Sequence, residues 1–154
     1  MNALSGAEWL AQGHAREDLV TAARLVRLHA VQEPRGLLTV GEVERELPFP
    51  ARRYFVISNV PDENIRGEHA HLALEQFLVC LSGSVVAEVD DGASRRAVLL
   101  DTPRVGLHMG PMVWGAQHHY SRDAVLLVLA SAAYDAGDYV REYERFLELR
   151  RQRP

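Results

Sequence analysis

Turn signals recur at short, regular intervals through the middle of the chain, and this spacing constrains the fold more than any other feature. They fall at Ser82-Gly83, Asp91-Gly92, Thr102-Pro103, Gly110-Pro111 and Arg122-Asp123. Between them lie short runs rich in aliphatic and β-branched residues: Val85–Val89, Ala97–Leu100, Val105–His108 and Ala124–Leu129. Strands that recur roughly every 8–12 residues are typical of an all-β sandwich or barrel. We therefore predict an all-β domain.

The two ends of the chain have a different pattern from this middle region. Residues 1–22 are amphipathic and alanine-rich, and they predict a short helix or a loosely ordered arm. Tyr139–Leu147 has helical periodicity and predicts a C-terminal helix. We therefore expect an N-terminal arm followed by one domain over residues 23–154, which includes that helix.

The segment Arg53–Ser58 is apolar on both of its faces. A strand of this kind is covered on both sides, either at the centre of a sheet or by a partner subunit. The pattern leaves both interpretations open.

The composition narrows the class of protein. With 154 residues, of which 47% are hydrophobic, the chain can bury one substantial core. A formal net charge of -4 provides no electrostatic case for binding nucleic acid. A single cysteine, Cys80, excludes an internal disulfide and fits a reducing cytosol. The N-terminus lacks a signal-peptide pattern and no apolar run approaches about 18 residues, so we expect a cytoplasmic protein that does not bind membranes.

Two histidines separated by one residue, His69 and His71, precede this run of strands. Side chains at positions i and i+2 of a strand point to the same face, so both rings face whatever that side encloses. Two imidazoles on one inner wall suit either metal ligation or proton transfer near neutral pH.

A barrel with His-x-His in an early strand resembles the cupin superfamily. Its metal-binding members place a glutamate shortly after the pair and a third histidine after a Pro-x-Gly turn. Here Gln76 stands at the glutamate position, and the adjacent Glu75 is expected to face the other side of the strand. Ala116 stands at the third histidine position, ahead of His118 and His119. Two histidines and a neutral amide are poor ligands for a divalent ion, so we predict a site without metal or other cofactor.

Several ordered motifs sharpen this resemblance. They are Arg66–His71, Glu75–Val85, Asp90–Gly92, Leu100–Pro103, Val105–Leu107, Pro111–Trp114, Leu126–Ser131 and Tyr134–Arg141. Taken in this order, they are similar to the motifs of the sugar-nucleotide 3,4-ketoisomerases, a metal-free branch of the cupins. The similarity covers about residues 23–147, which is most of the chain.

The resemblance implies a cupin double-stranded β-helix, or jelly-roll barrel, that moves the keto group of dTDP-4-keto-6-deoxy-D-glucose from C4 to C3. It also implies a homodimer with exchanged N-terminal strands, and a role in making deoxyamino sugars for O-antigens, S-layer glycans or antibiotics. Leu72 and Ala116 depart from the family pattern, in which a lysine and an acidic residue are common at these positions. These departures leave the stereochemistry at C4 of the product open.

This reaction needs a base for the C3 proton and a group that stabilises negative charge on the enediol oxygen. Histidine titrates near neutral pH and meets the first requirement. The resemblance assigns the catalytic roles to His69 and His71. We expect His71 to be the base and His69 its partner.

The diphosphate of a nucleotide sugar requires local positive charge, because the chain as a whole is negative. Arg53 and Arg66 flank the histidine strand, and arginine matches phosphate oxygens in a bidentate manner. Gln76 is predicted to bond a sugar hydroxyl, and Trp114 to line the sugar or base pocket. These four side chains are the candidate substrate-binding residues.

Three other functions compete with the isomerase. The first is a metal-dependent cupin, a dioxygenase or isomerase, that uses the two histidines and Glu75. The second is a sugar-binding cupin without catalytic activity. The third is a nucleotide-sugar epimerase, which needs a histidine–aspartate pair beside a tyrosine acid, and no such arrangement is visible in the sequence order.

Overall fold

A computed structural model of the chain describes residues 2–61 and 63–153, and within these residues short strands are the main regular structure. The strands are β1 Leu4–Ser5, β2 Arg16–Val20, β3 Ala23–Arg27, β4 His29–Glu33, β5 Gly36–Val40, β6 Arg53–Ser58, β7 Arg66–His71, β8 Gln76–Ser82, β9 Val85–Asp90, β10 Arg95–Leu100, β11 Val105–Met109, β12 Trp114–His118, β13 Val125–Ala130 and β14 Tyr139–Val140. The helices are α1 Gly6–Ala11 and α2 Tyr143–Gln152, and a 3-10 turn covers Ala136–Asp138.

Two six-stranded sheets form the barrel. The first has the order β1-β10-β9-β12-β7-β14, and the second has the order β2-β3-β11-β8-β13-β6. The main core lies between them, where side chains such as Val89 and Val98 of the first sheet and Leu107 and Leu126 of the second are fully buried. The predicted all-β, jelly-roll architecture is confirmed.

The N-terminal segment is built into this barrel. Strand β1 pairs in parallel with β10, and β2 pairs with β3. Trp9 of α1 is completely buried, and its indole Nε1 donates a hydrogen bond to Glu17 at 2.6 Å. Burial of so large a side chain, with its polar atom paired, fixes the segment in place. Of the two alternatives for this segment, the short helix is confirmed. A loosely ordered arm is wrong for its described residues, which begin at position 2.

Strand β6 lies at the edge of the second sheet and not at a sheet centre. It pairs with β13 alone, and Tyr54 and Val56 are 70% and 48% exposed. The hairpin of β4 and β5 belongs to neither six-stranded sheet and exposes Leu38 to 58%. The central-strand interpretation of Arg53–Ser58 is therefore wrong.

The C-terminal helix begins later than its periodicity predicts. Tyr139 and Val140 form β14, which pairs with β7 opposite His71 and Ala70, and the helix starts at Tyr143. Periodicity fails here because a two-residue strand is too short to show an alternating pattern. Helix α2 then packs on the outer face of the barrel through the fully buried Phe146.

Neither helix of the described residues has the length and apolarity that a membrane crossing would need.

Strand β11 contains a glycine that the packing requires. A methyl group on Gly106 would overlap the ring of Phe77, which is itself fully buried and cannot move aside. We expect Gly106→Ala to lower the free energy of unfolding by about 1–3 kcal/mol, as overpacked cores do. The measurement is urea unfolding of the purified protein.

Gly13→Ala is the matched control. Gly13 has a φ of 83°, but the space around its missing side chain is open. This control therefore measures backbone strain alone, at a cost of about 1–2 kcal/mol, a strain that Gly106 does not have. Unfolding of Gly106→Ala at the same urea concentration as the unaltered protein would contradict the steric role of Gly106.

Candidate active site

A cavity of about 290 Å³ lies between the two sheets. Its apolar wall includes Ile57, Leu78 and Val128. Its polar wall is formed by seven side chains: Arg66, His69, His71, Gln76, Gln117, Tyr139 and Arg141. A concave pocket in which polar side chains converge opposite an apolar wall is a usual form of a small-molecule site.

A distortion in β7 positions the two histidines. Gly67 and Glu68 both adopt a positive φ, of 85° and 56°, and the pairing of β7 with β12 shifts at this point. A bulge of this kind changes where the following side chains point. His69 and His71 then line the cavity with ring centroids 4.9 Å apart and ring planes at 86°.

Asp138 fixes the orientation of His71. Its carboxylate lies 3.1 Å from Nδ1 of His71 and also accepts backbone N–H bonds from Ala73 and Leu74, at 2.9 and 3.2 Å. A carboxylate held by N–H donors acts as an acceptor, so we assign the imidazole proton to Nδ1. The other nitrogen, Nε2, is buried and has no hydrogen-bond partner among the described residues. Its lone pair is therefore available to take a proton.

Burial keeps both imidazoles neutral. Burial, together with the neighbouring His69, lowers the pKa of His71 to about 4, although the contact with Asp138 acts in the opposite direction. Burial also lowers the pKa of His69, against a hydrogen bond from Nδ1 to the carbonyl of Gly67 at 3.0 Å. Since a general base must be unprotonated, a neutral His71 is in the form that the reaction requires.

Arginine side chains surround this pair. Arg66 and Arg141 line the cavity, and the Arg141 guanidinium lies 4.3 Å from the centre of the Tyr139 ring. Arg53 stacks on Phe55 at 5.5 Å, and its charge contributes to the lowered pKa of His71. The site can therefore attract an anionic ligand although the chain has a net charge of -4.

Comparison with known proteins identifies the family. The family model FdtA, described as WxcM-like, C-terminal, matches residues 21–151. The chain belongs to the FdtA family.

Three relatives are similar over most of their length. A TDP-4-oxo-6-deoxy-alpha-D-glucose-3,4-oxoisomerase from Aneurinibacillus thermoaerophilus is 42% identical over 80% of this chain and 88% of its own. A mutant of the 3,4-ketoisomerase QdtA from Thermoanaerobacterium thermosaccharolyticum, in complex with TDP-4-keto-6-deoxyglucose, has a TM-score of 0.84 and 32% identity, covering 88% of this chain and 98% of that one. The TDP-quinovose 3,4-ketoisomerase WlaRB from Campylobacter jejuni has a TM-score of 0.80 and 36% identity, covering 84% and 99%.

The predicted substrate-binding residues divide into two groups in this member of the FdtA family. Arg66 and Gln76 line the cavity, and Arg53 lies close enough for its charge to act on His71. Trp114 does not line it. Its indole packs against Tyr143 and Phe146 beneath α2, because alternation along β12 turns Gly115 and Gln117 inward and Trp114 outward.

The ligand set of the metal alternative is not brought together. Glu75 faces away from the cavity and its carboxylate pairs with His108 at 2.9 Å. His118 lies on the outer face of the barrel, 3.4 Å from Glu88. Within residues 2–61 and 63–153 no three histidine, cysteine or acidic side chains come together as metal donors.

The sequence analysis missed Asp138, Tyr139, Arg141 and Gln117. The first three lie in a segment that carries the family resemblance, but their contact with β7 depends on a pairing over some 67 residues of sequence. A histidine–aspartate pair beside a tyrosine, which is not visible in the sequence order, is present in the structure: His71 contacts Asp138, and the rings of His71 and Tyr139 are 4.4 Å apart. Sequence order does not show contacts of this range.

Proposed function

We propose that this protein is a TDP-4-keto-6-deoxy-D-glucose 3,4-ketoisomerase that uses His71 as its general base. The observation that carries the proposal is the unpartnered Nε2 of His71, held by Asp138 in a cavity beside arginine side chains. The family relatives named as 3,4-ketoisomerases and a TDP-sugar oxoisomerase support the substrate and the reaction.

The reaction is a hydrogen transfer between adjacent carbons. Nε2 of His71 takes the proton from C3, which the C4 carbonyl acidifies, and the Tyr139 hydroxyl gives its proton to the carbonyl oxygen, so that an enediol forms. The hydroxyl at C3 then returns a proton to the Tyr139 oxygen as it becomes the ketone, and the protonated His71 delivers its proton to C4. Tyr139 lies beside His71, and its hydroxyl is placed to stabilise the developing oxygen charge. The single ring proton of His69 is on Nδ1, bonded to the Gly67 carbonyl, so its Nε2 can accept a hydrogen bond from a sugar hydroxyl. The atoms balance, since substrate and product are isomers.

The diphosphate and the sugar of the substrate match the charged side chains and the apolar wall of the cavity. Arg66, Arg141 and Arg53 provide the charge that binds a diphosphate, to which arginine is well suited. The apolar wall, which includes Ile57, Leu78 and Val128, suits the methyl group at C6 of a 6-deoxy sugar.

The test of the reaction is NMR of the purified protein with TDP-4-keto-6-deoxyglucose in D2O. We expect a 3-keto species and deuterium incorporation at C3 or C4, because the proton exchanges with solvent in the enediol state. Binding of the sugar nucleotide without either signal would contradict the proposal and favour the sugar-binding alternative.

A charge-removing substitution tests the anion site. We expect Arg66→Gln to weaken TDP binding by about tenfold, since a charge-assisted hydrogen bond to phosphate contributes roughly 1.5–3 kcal/mol. Isothermal titration with TDP measures the change. The control is Arg96→Gln on the exposed end of β10, which should bind TDP as the unaltered protein does. Equal affinities for both variants would remove Arg66 from the site.

We further propose a homodimer with exchanged N-terminal strands. Exposed apolar side chains on β4–β5 and on the edge strand β6 support it: Val31, Leu37, Leu38, Tyr54 and Val56. A hairpin of one copy placed along β6 of the other would pair that open edge and cover these side chains. Location in the cytoplasm and a role in deoxyamino-sugar synthesis for surface glycans remain part of this proposal.

Leu38→Glu tests the dimer. Leu38 is 58% exposed in the single chain, so the substitution is not expected to disturb its fold. A buried charge in the interface would instead weaken association. We expect a dimer for the unaltered protein and a larger monomer fraction for Leu38→Glu by light scattering after gel filtration. A monomeric unaltered protein would overturn this part of the proposal.

A further inference from the structure

One buried polar side chain in the cavity has no partner. The buried polar residues of the described chain are His71, Asp90, Asp91 and Gln117. Asp90 accepts hydrogen bonds from Arg95 and Tyr143, Asp91 accepts one from the N–H of Thr21, and His71 contacts Asp138. Gln117, at 9% exposure, lines the cavity and its amide forms no hydrogen bond within residues 2–61 and 63–153. An amide that is open to a cavity and bonded to no protein group has its donor and its acceptor free for a ligand.

Two glycines make room for this amide. Oε1 of Gln117 lies 3.0 Å from the position that a Cβ on Gly67 would occupy, and Nε2 lies 3.5 Å from the corresponding position on Gly115. The methyl group of Met109 occupies the remaining space over Gly115. A side chain on Gly67 would crowd the amide oxygen, whereas one on Gly115 would meet the Met109 methyl group first. The amide therefore lies along the cavity wall, next to the bulge in β7.

The location relates Gln117 to the reacting histidines. Gly115 is paired with His69, and Gln117 is paired with Arg66 across the β12–β7 ladder. The amide is thus between the arginine at one end of the strand and the histidines at the other. A diphosphate bound by Arg66 would place the attached sugar ring in front of this stretch of wall.

We propose that Gln117 is a specificity-determining residue that binds the α-hydroxy ketone of the sugar. This inference rests on the proposed isomerase function. An amide presents a donor and an acceptor side by side. Its N–H group matches a ketone oxygen and its C=O group matches the adjacent hydroxyl. A nucleoside diphosphate without the sugar lacks both groups, so Gln117 distinguishes the sugar nucleotide from TDP.

The experiment compares Gln117→Met with the unaltered protein. Methionine keeps the unbranched shape and removes both hydrogen-bonding groups. We expect kcat/KM for TDP-4-keto-6-deoxyglucose to fall roughly tenfold or more, while the Kd for TDP changes less than about twofold. We also expect Tm to stay the same, because the amide forms no hydrogen bond within the described residues that the substitution could remove. Gln152→Met at the exposed end of α2 is the matched control and should behave as the unaltered protein.

Each outcome decides the role of Gln117. An unchanged kcat/KM, a parallel loss of affinity for TDP, or a fall in Tm that marks a structural residue would overturn it. If Gln117→Met does not fold, Gln117→Leu gives the same comparison. If the unaltered protein binds TDP but does not convert the keto sugar, the isomerase proposal fails. In that case Gln117 is still tested by the ratio of the Kd for TDP to the Kd for TDP-4-keto-6-deoxyglucose, measured in the unaltered protein and in Gln117→Met.

Discussion

Replacement of His71 by asparagine is expected to reduce turnover of TDP-4-keto-6-deoxyglucose by roughly 10²–10⁴-fold, the usual contribution of a general base. Asparagine removes Nε2 of His71, a buried ring nitrogen that has no hydrogen-bond partner among the described residues. The asparagine side chain is polar, and its amide can still contact Asp138. TDP binding should be retained within a few-fold, because the arginine side chains are unchanged. Steady-state kinetics and titration with TDP measure the two quantities.

Two further histidine variants make this result specific. His108→Asn is the matched control, since His108 is also partly buried but pairs with Glu75 outside the cavity. It should keep near-normal turnover. His69→Asn should lose less activity than His71→Asn, because Nδ1 of His69 is bonded to the carbonyl of Gly67 and its ring has no carboxylate partner. Retention of full activity by His71→Asn would end its assignment as the base.

The same variant has a consequence for stability at acid pH. The pKa of His71 is about 4 in the folded protein and near 6.5 in the unfolded chain. Between these values the unfolded state binds more protons, so stability falls as pH decreases from about 6.5 to about 4. His71→Asn should therefore lose less stability than the unaltered protein over that interval, as urea unfolding at several pH values would show.

The barrel was predictable because its signals are local. Turn residues and alternating apolar residues identify most of the strands from β7 to β13, and the motifs around the histidine pair identify the family. The same alternation places Gln76 in the cavity and Glu75 outside it. Each of these predictions depends only on residues that are close together in the sequence.

The features that were missed depend on pairing between distant segments. Strand β14 is two residues long, yet it brings Asp138 and Tyr139 to His71. The prediction that Trp114 lines the pocket was wrong because a sequence shows only that an aromatic residue follows a turn. Such a residue is equally typical of a pocket wall and of a contact with a helix. The bulge at Gly67 and the exposed edge at β6 likewise become visible only once strands are paired.

Asp138→Asn is expected to be nearly as damaging as the loss of His71 itself. Oδ1 of Asp138 accepts the N–H of Ala73, and the carbonyl of asparagine would take over that bond. Oδ2 accepts the N–H of Leu74 and contacts His71, and the amide nitrogen of asparagine would replace it. Its amide N–H2 would then face Nδ1 of His71 and donate to it. The imidazole proton would move to Nε2, the nitrogen that must be free to accept the C3 proton. A wrong tautomer of this kind costs about 10²–10⁴-fold in turnover.

Asp135→Asn separates this effect from a general disturbance of the segment. Asp135 caps the 3-10 turn through the N–H of Gly137 and lies three positions from Asp138, but it does not contact His71. We expect Asp135→Asn to keep most of its turnover and Asp138→Asn to lose it, while both bind TDP. Loss of the Asp138 charge should also lower the pKa of His71 further, since that carboxylate raises it. Nitrogen NMR of the His71 imidazole would show the proton on Nε2 in Asp138→Asn and on Nδ1 in the unaltered protein. The same tautomer in both proteins would contradict the role of Asp138, because the predicted loss of turnover depends entirely on the hydrogen bond by which Asp138 orients His71.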